Sequence, residues 1–101
     1  MTIRSLAAEA RRIWVHRMGV DAIVVAMGVV YGDICRNVRD EGDPEELKKE
    51  FGNLIFSTVR WCEDQGFDPE ECIRKAIECQ RKFVARRARQ PEVSSTFPPP
   101  R

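Results

Sequence analysis

Residues 43–83, DPEELKKEFGNLIFSTVRWCEDQGFDPEECIRKAIECQRKF, decide the fold. The tetrapeptide Asp-Pro-Glu-Glu occurs twice, starting at Asp43 and again at Asp68, and each copy has the chemistry of a helix start. The Asp can accept bonds from the free N–H groups of the first turn. The Pro suits the first helical position, where no N–H is needed. The second Glu (Glu46, Glu71) stands where a capping box closes. Gly66, between the two, is a natural stop. The stretch therefore reads as two helices joined by a tight turn, and we read its duplication as repeated capping chemistry, not as an internal repeat. The first, over Pro44–Gln65, carries Leu47, Phe51, Leu54, Ile55, Thr58, Val59 and Cys62 as a wide apolar face. The second, over Pro69–Arg89, turns Ile73, Ala76, Ile77, Gln80, Phe83 and Val84 inward and leaves Lys75, Lys82, Arg86 and Arg89 as an outer basic stripe.

Upstream, Leu6, Ala10, Ile13, Trp14 and Arg17 fall at helical spacing, which predicts a helix over Thr2–Met18 stopped by Gly19, with Trp14 as a packing anchor. The segment Asp21–Arg39 is rich in β-branched residues (Ile23, Val24, Val25, Val29, Val30), and local propensity alone would allow a strand. Its length, an N-cap at Asp21 and the helical spacing of Ile34, Cys35 and Val38 favour a helix, and no other stretch offers a strand partner. The first half of this helix is apolar all round, which asks for burial on every side and so for a core shared between subunits. The Pro- and Ser-rich tail after Arg89 is expected to be disordered. The expected architecture is all-α: one four-helix bundle-like domain over residues 1–89, oligomeric, followed by a tail over 90–101.

Composition is consistent with this. A chain of 101 residues has room for one modest core, and 43% hydrophobic with 33% charged residues describes a globular protein. A net charge of +1 gives no reason to expect nucleic acid or an anionic membrane as partner, and the basic stripe reads as a solvated face. The longest apolar run, Ala22–Tyr31, is about half of a bilayer span, and no signal pattern opens the chain, so a cytoplasmic protein is expected. Cys35, Cys62, Cys72 and Cys79 lack Cys-x-x-Cys spacing and have one histidine, His16, for company; they are expected to be reduced, mostly buried small hydrophobes rather than zinc ligands. Cys72 and Cys79 lie two helical turns apart, too far for a disulfide.

No Gly-rich phosphate loop, Ser/His/Asp arrangement or histidine pair is present, so candidate chemistry rests on carboxylates. Asp33 and Glu50 each fall beside apolar positions of their helices. A carboxylate there is costly unless it is paired or binds a cation. One reading pairs them with an arginine such as Arg36 or Arg60, or lets them reach solvent. The other has facing helices hold Mg²⁺ through them.

The strings EFGNLIF (Glu50–Phe56), GFDPEE (Gly66–Glu71) and RKFVARR (Arg81–Arg87) resemble the MazG-like all-α nucleoside triphosphate pyrophosphohydrolases. The resemblance runs over about Asp43–Arg87 and is faint before Gly32. It implies an enzyme in which Glu-Glu-x-x-Glu and Glu-x-x-Asp motifs bind Mg²⁺. The metal holds a nucleoside or deoxynucleoside triphosphate, and a water cleaves between the α and β phosphates to give the monophosphate and pyrophosphate. It also implies a homodimer or homotetramer. Carried over by position, Asp33 and Glu50 are the metal ligands, Glu50 and Asn53 the catalytic positions, and Lys82 and Arg86 the phosphate-binding residues, with Gln80 where relatives often have Asn. Asn53 stands in place of the motif's Asp, and Val29 and Val30 in place of its two leading acids. Because Val cannot ligate a metal, the alternative is a catalytically silent helical module acting in nucleotide binding or oligomeric assembly.

Overall fold

A computed structural model describes residues 1–89; the tail expected over 90–101 lies outside the described residues. Four α-helices follow one another: α1 (Ile3–Ile13), α2 (Val20–Arg39), α3 (Pro44–Asp64) and α4 (Pro69–Arg89), and no strand occurs among the described residues. The β-branched segment is helical, as its length and the spacing of Ile34, Cys35 and Val38 predict.

Local chemistry accounts for most of the helix ends. The Asp43 carboxylate accepts from the Glu45 amide and Asp68 from the Glu70 amide, both at 3.0 Å. Glu46 does not close a capping box; it pairs with Lys49 at 2.7 Å. The reciprocal box forms instead at α1, between Thr2 and Ser5. Helix α3 stops as expected at Gly66, which takes φ +76°. The Gly66 amide donates to the Glu63 carbonyl and the Phe67 amide to the Cys62 carbonyl, the paired bonds of a Schellman cap. The end of α2 repeats this pattern with Glu41 and Gly42, but there the left-handed residue is Glu41 at φ +52°, a side chain in a position that favours glycine.

Helix α1 ends five residues earlier than its spacing predicts. At Trp14 the backbone turns extended, and residues 14–19 wrap across the C-terminal end of α3. Arg11 donates to the Trp14 carbonyl, Arg17 to the Glu63 carbonyl, and the Gln65 side chain to the Met18 carbonyl. Tertiary bonds replace the helical ones the segment would otherwise form. Gly19 is thus the N-cap of α2 rather than the stop of α1, and Asp21 lies in the first turn of α2 rather than capping it.

Helix α3 is the centre. Helices α1 and α2 both pack along it, α4 touches α3 and α1, and α2 and α4 do not meet. Ile23, Val30 and Trp61 form the core against α2, with Met18, Ala26, Ile34 and Leu54 around them. On the other side Ala10 and Val59 are buried. The packing anchor is Trp61, 5% exposed, and not Trp14, which is 49% exposed and lies under the Arg60 guanidinium, 4.3 Å from the ring centroid.

The inward face expected for α4 is not covered in this chain. Only Pro69 of α4 is buried, and Ile73, Ile77 and Val84 are 41, 45 and 65% exposed. Val24, Val25 and Val29 on the outer side of α2 are exposed as well. The Cα radius of gyration, 16.4 Å, exceeds the roughly 13 Å of a compact chain of this size.

At the junction of α1, α3 and the 14–19 connector sits Asp64, its side chain fully buried. Arg11 donates to its Oδ1 at 2.8 Å, and Arg60 lies 3.4 Å from its Oδ2. Burial by itself would raise the Asp64 pKa, but the bonds from Arg11 and the Met18 amide and the charge of Arg60 outweigh it and leave the pKa below its ordinary value of 3.8. The stabilising contribution of Asp64 is therefore complete above that ordinary value and is lost as pH falls through the lower folded-state value. Asp64→Asn should lower stability at neutral pH by about 3 kcal/mol, read as a reduced urea midpoint, and should flatten the acid limb of the stability curve; a midpoint equal to wild type would show that the junction is not held this way. At the helix ends, Glu41→Gly should raise stability and Gly66→Ala lower it, each by about 1 kcal/mol, in the same denaturation assay.

Candidate functional site

Glu50 lies one turn from Leu47 and Leu54 on α3, and its side chain is 14% exposed. Its Oε2 is buried with no hydrogen-bond partner, and its Oε1 stands 3.9 Å from Lys49 Nζ. A carboxylate so placed is dehydrated without full compensation. Lys49 is held more firmly by Glu46, whose bond is the largest influence raising the Lys49 pKa; Glu50 and Asp33 add smaller contributions of the same sign. The ammonium of Lys49 is therefore a positive charge that interacts electrostatically with both predicted carboxylates. Sequence reasoning passed it over, although it adjoins Glu50 and follows Glu46 by one turn.

The other predicted residues divide into two groups. On α2, Asp33 is partly exposed and ion-paired with Arg36 in the next turn, one of the two alternatives its position allowed. Of the two valines in ligand positions, Val30 belongs to the core and Val29 faces outward. Asn53 on α3 is exposed, and its Oδ1 accepts from the Ser57 hydroxyl at 3.3 Å. On α4, Lys82 pairs with Glu78 at 3.1 Å, and with Arg86, Lys75 and Phe83 it lines a shallow groove built from α4 alone. Since α4 does not meet α2, Asp33 and Lys82 stand on helices that share no contact in this chain.

The donor set bears directly on a resident cation. Among the described residues, no group of three or more His, Cys, Asp or Glu side chains converges as metal ligands would. Asp33 is committed to an arginine, and Asn53 offers a neutral oxygen already in a hydrogen bond. Of these three residues, Glu50 presents a buried oxygen without a hydrogen-bond partner. Mg²⁺ sheds water reluctantly and depends on ligand charge, so these residues do not make a protein cage for it.

The comparisons speak to half of the chain. Over 51 residues, 50% of the chain, it is 43% identical to the nucleoside triphosphate pyrophosphohydrolase/pyrophosphatase MazG of Thermotoga maritima. Half of this chain is similar to MazG. The match covers 19% of that protein's length, so the chain corresponds to a small part of it. No protein-family model matches the chain, and no solved structure matches it. The all-helical fold agrees with the MazG-like expectation at that level. Among the described residues no helix is long and apolar enough to cross a membrane.

Removing the uncompensated charge of Glu50 should relieve a desolvation cost on α3. Glu50→Gln is expected to raise the free energy of unfolding by about 1 kcal/mol, measured by thermal or urea denaturation, the signature of a residue kept for something other than stability. A lower stability in that variant would assign Glu50 a structural role.

Proposed function

We propose that this chain is a MazG-like pyrophosphohydrolase module that binds a nucleoside or deoxynucleoside triphosphate and converts it to the monophosphate and pyrophosphate. The observation that carries the reading is Glu50: the acid of the EFGN string, in a chain half of which is similar to MazG, with a buried oxygen left without a partner. In this reading Mg²⁺ arrives as part of the substrate, bound to the triphosphate, and Glu50, with Asp33 when released from Arg36, faces that complex. Lys82 and Arg86 neutralise phosphate charge, and Asn53 orients the attacking water by hydrogen bonding. The two groups of residues stand on helices that one chain leaves apart. Self-association as a homodimer or homotetramer, covering the exposed valines of α2 and the apolar side of α4, would supply the phosphate-binding helix from a second copy.

A second reading is favoured by the Asp33–Arg36 pair and by Val29 and Val30: a catalytically silent module that keeps nucleotide binding or assembly. The two readings separate in one assay. Incubation with each triphosphate and Mg²⁺ should release pyrophosphate, and Glu50→Ala should reduce the rate by at least about 100-fold. Absence of release above the Glu50→Ala control, together with a rise in melting temperature on adding Mg²⁺ and nucleotide, would select the silent reading. Neither release nor a thermal shift would remove nucleotide chemistry altogether.

A further inference from the structure

Cys62 and Cys72 are ten residues apart in sequence, on opposite sides of the Gly66 turn, and they meet in the groove between α3 and α4. Cys62 lies in the last turns of α3 and Cys72 in the first turn of α4. Both line that groove, and both are partly buried. The remaining cysteines, Cys35 and Cys79, are exposed and lie elsewhere, on α2 and in the basic groove of α4. The turn between the pair is firmly built: the Schellman bonds end α3, the Asp68 cap starts α4, and Pro69 is buried. This is also the end of α4 held against the rest of the chain, because beyond Cys72 its side chains are exposed.

We propose that Cys62 and Cys72 form a dithiol pair that closes to an intramolecular disulfide when it meets a small-molecule disulfide such as oxidised glutathione, stapling α4 to α3. The Cys72 sulfur gives up its proton and attacks one sulfur of glutathione disulfide, forming a mixed disulfide and releasing one glutathione, which takes up that proton. The Cys62 sulfur then attacks the Cys72 sulfur, its proton passes to the departing glutathione sulfur, and a second glutathione leaves. Two protein thiols are oxidised and one glutathione disulfide is reduced to two thiols. The order follows from burial: desolvation first, and then the neighbouring Cys72, push the Cys62 thiol up to about 11, so Cys62 stays protonated and serves as the resolving group. Because both sulfurs belong to one chain and line one groove, the second step is intramolecular. The inference is independent of the nucleotide reading.

The sequence makes the test direct. No Lys or Arg lies between Arg60 and Arg74, so trypsin releases both cysteines in one peptide, residues 61–74. After the folded full-length chain is incubated with glutathione disulfide and remaining thiols are blocked, that peptide should be unblocked and lighter than its reduced form by about 2 Da, the two hydrogen atoms lost. Cys62→Ser and Cys72→Ser should each stop at a glutathione adduct or a free thiol. The oxidised wild type should melt about 10 °C above the reduced form, as expected for a short closed loop in a domain of this size. Three outcomes would overturn the proposal: blocked or glutathione-capped thiols at both positions, cross-links to Cys35 or Cys79, or cross-links between chains. Repeating the oxidation in urea should scatter the pairing; the same clean Cys62–Cys72 product there would show that sequence proximity, not the folded contact, directs it.

Discussion

The buried carboxylate of Asp64 is the constraint on which the arrangement of the first three helices depends. It draws Arg11 from α1, Arg60 from its own helix and the Met18 amide from the connector onto the last turn of α3. Taking a carboxylate out of water is costly, and the cost is met only if all of these donors stay in place. That requirement fixes where α1 ends, because Arg11 must turn toward α3. It also fixes how α2 begins, because Met18 must approach the same carboxylate. Arg60 in turn lies over Trp14, so the exposed indole shields the arginine that faces the buried acid.

The same helix carries two unlike carboxylates, and the contrast defines their roles. Asp64 is buried between two arginines, Arg11 bonded to one oxygen at 2.8 Å and Arg60 3.4 Å from the other; its charge is a structural element. Glu50 is nearly as buried but has one oxygen without a donor and only a distant ammonium near the other. A protein selected for stability alone would satisfy that oxygen or replace the residue with an apolar one. Lys49 supplies positive charge to Glu46, Glu50 and Asp33 together, a feature that a ligand search over carboxylates alone overlooks.

The open placement of α4 links the fold to assembly. A 21-residue helix anchored through its first turn leaves Ile73, Ile77 and Val84 facing water, and α2 leaves a row of valines on its far side. Apolar surface of this kind in a small chain is what self-association removes. In the self-association proposed above, the closing of α4 against other helices, and with it the meeting of basic and acidic residues, would be a property of the assembly.

What the sequence determined by itself was local. The Asp-Pro starts, the Gly66 stop and the helical state of the β-branched segment were legible, because capping and backbone conformation depend on residues within one turn of each other. The seven-residue spacing of Leu47, Leu54 and Trp61 was also present, although the broader apolar face of α3 drew attention away from it. Tertiary structure decided the rest. It moved the end of α1 from Met18 to Ile13, chose Trp61 over Trp14 for the core, gave Asp33 to Arg36, brought Cys62 to Cys72, and left Lys82 and Arg86 on a helix that does not meet α2. Each of these outcomes turns on which surfaces pack across long sequence separations, and a carboxylate such as Asp64 can command that packing from a position where local spacing shows only one more charge.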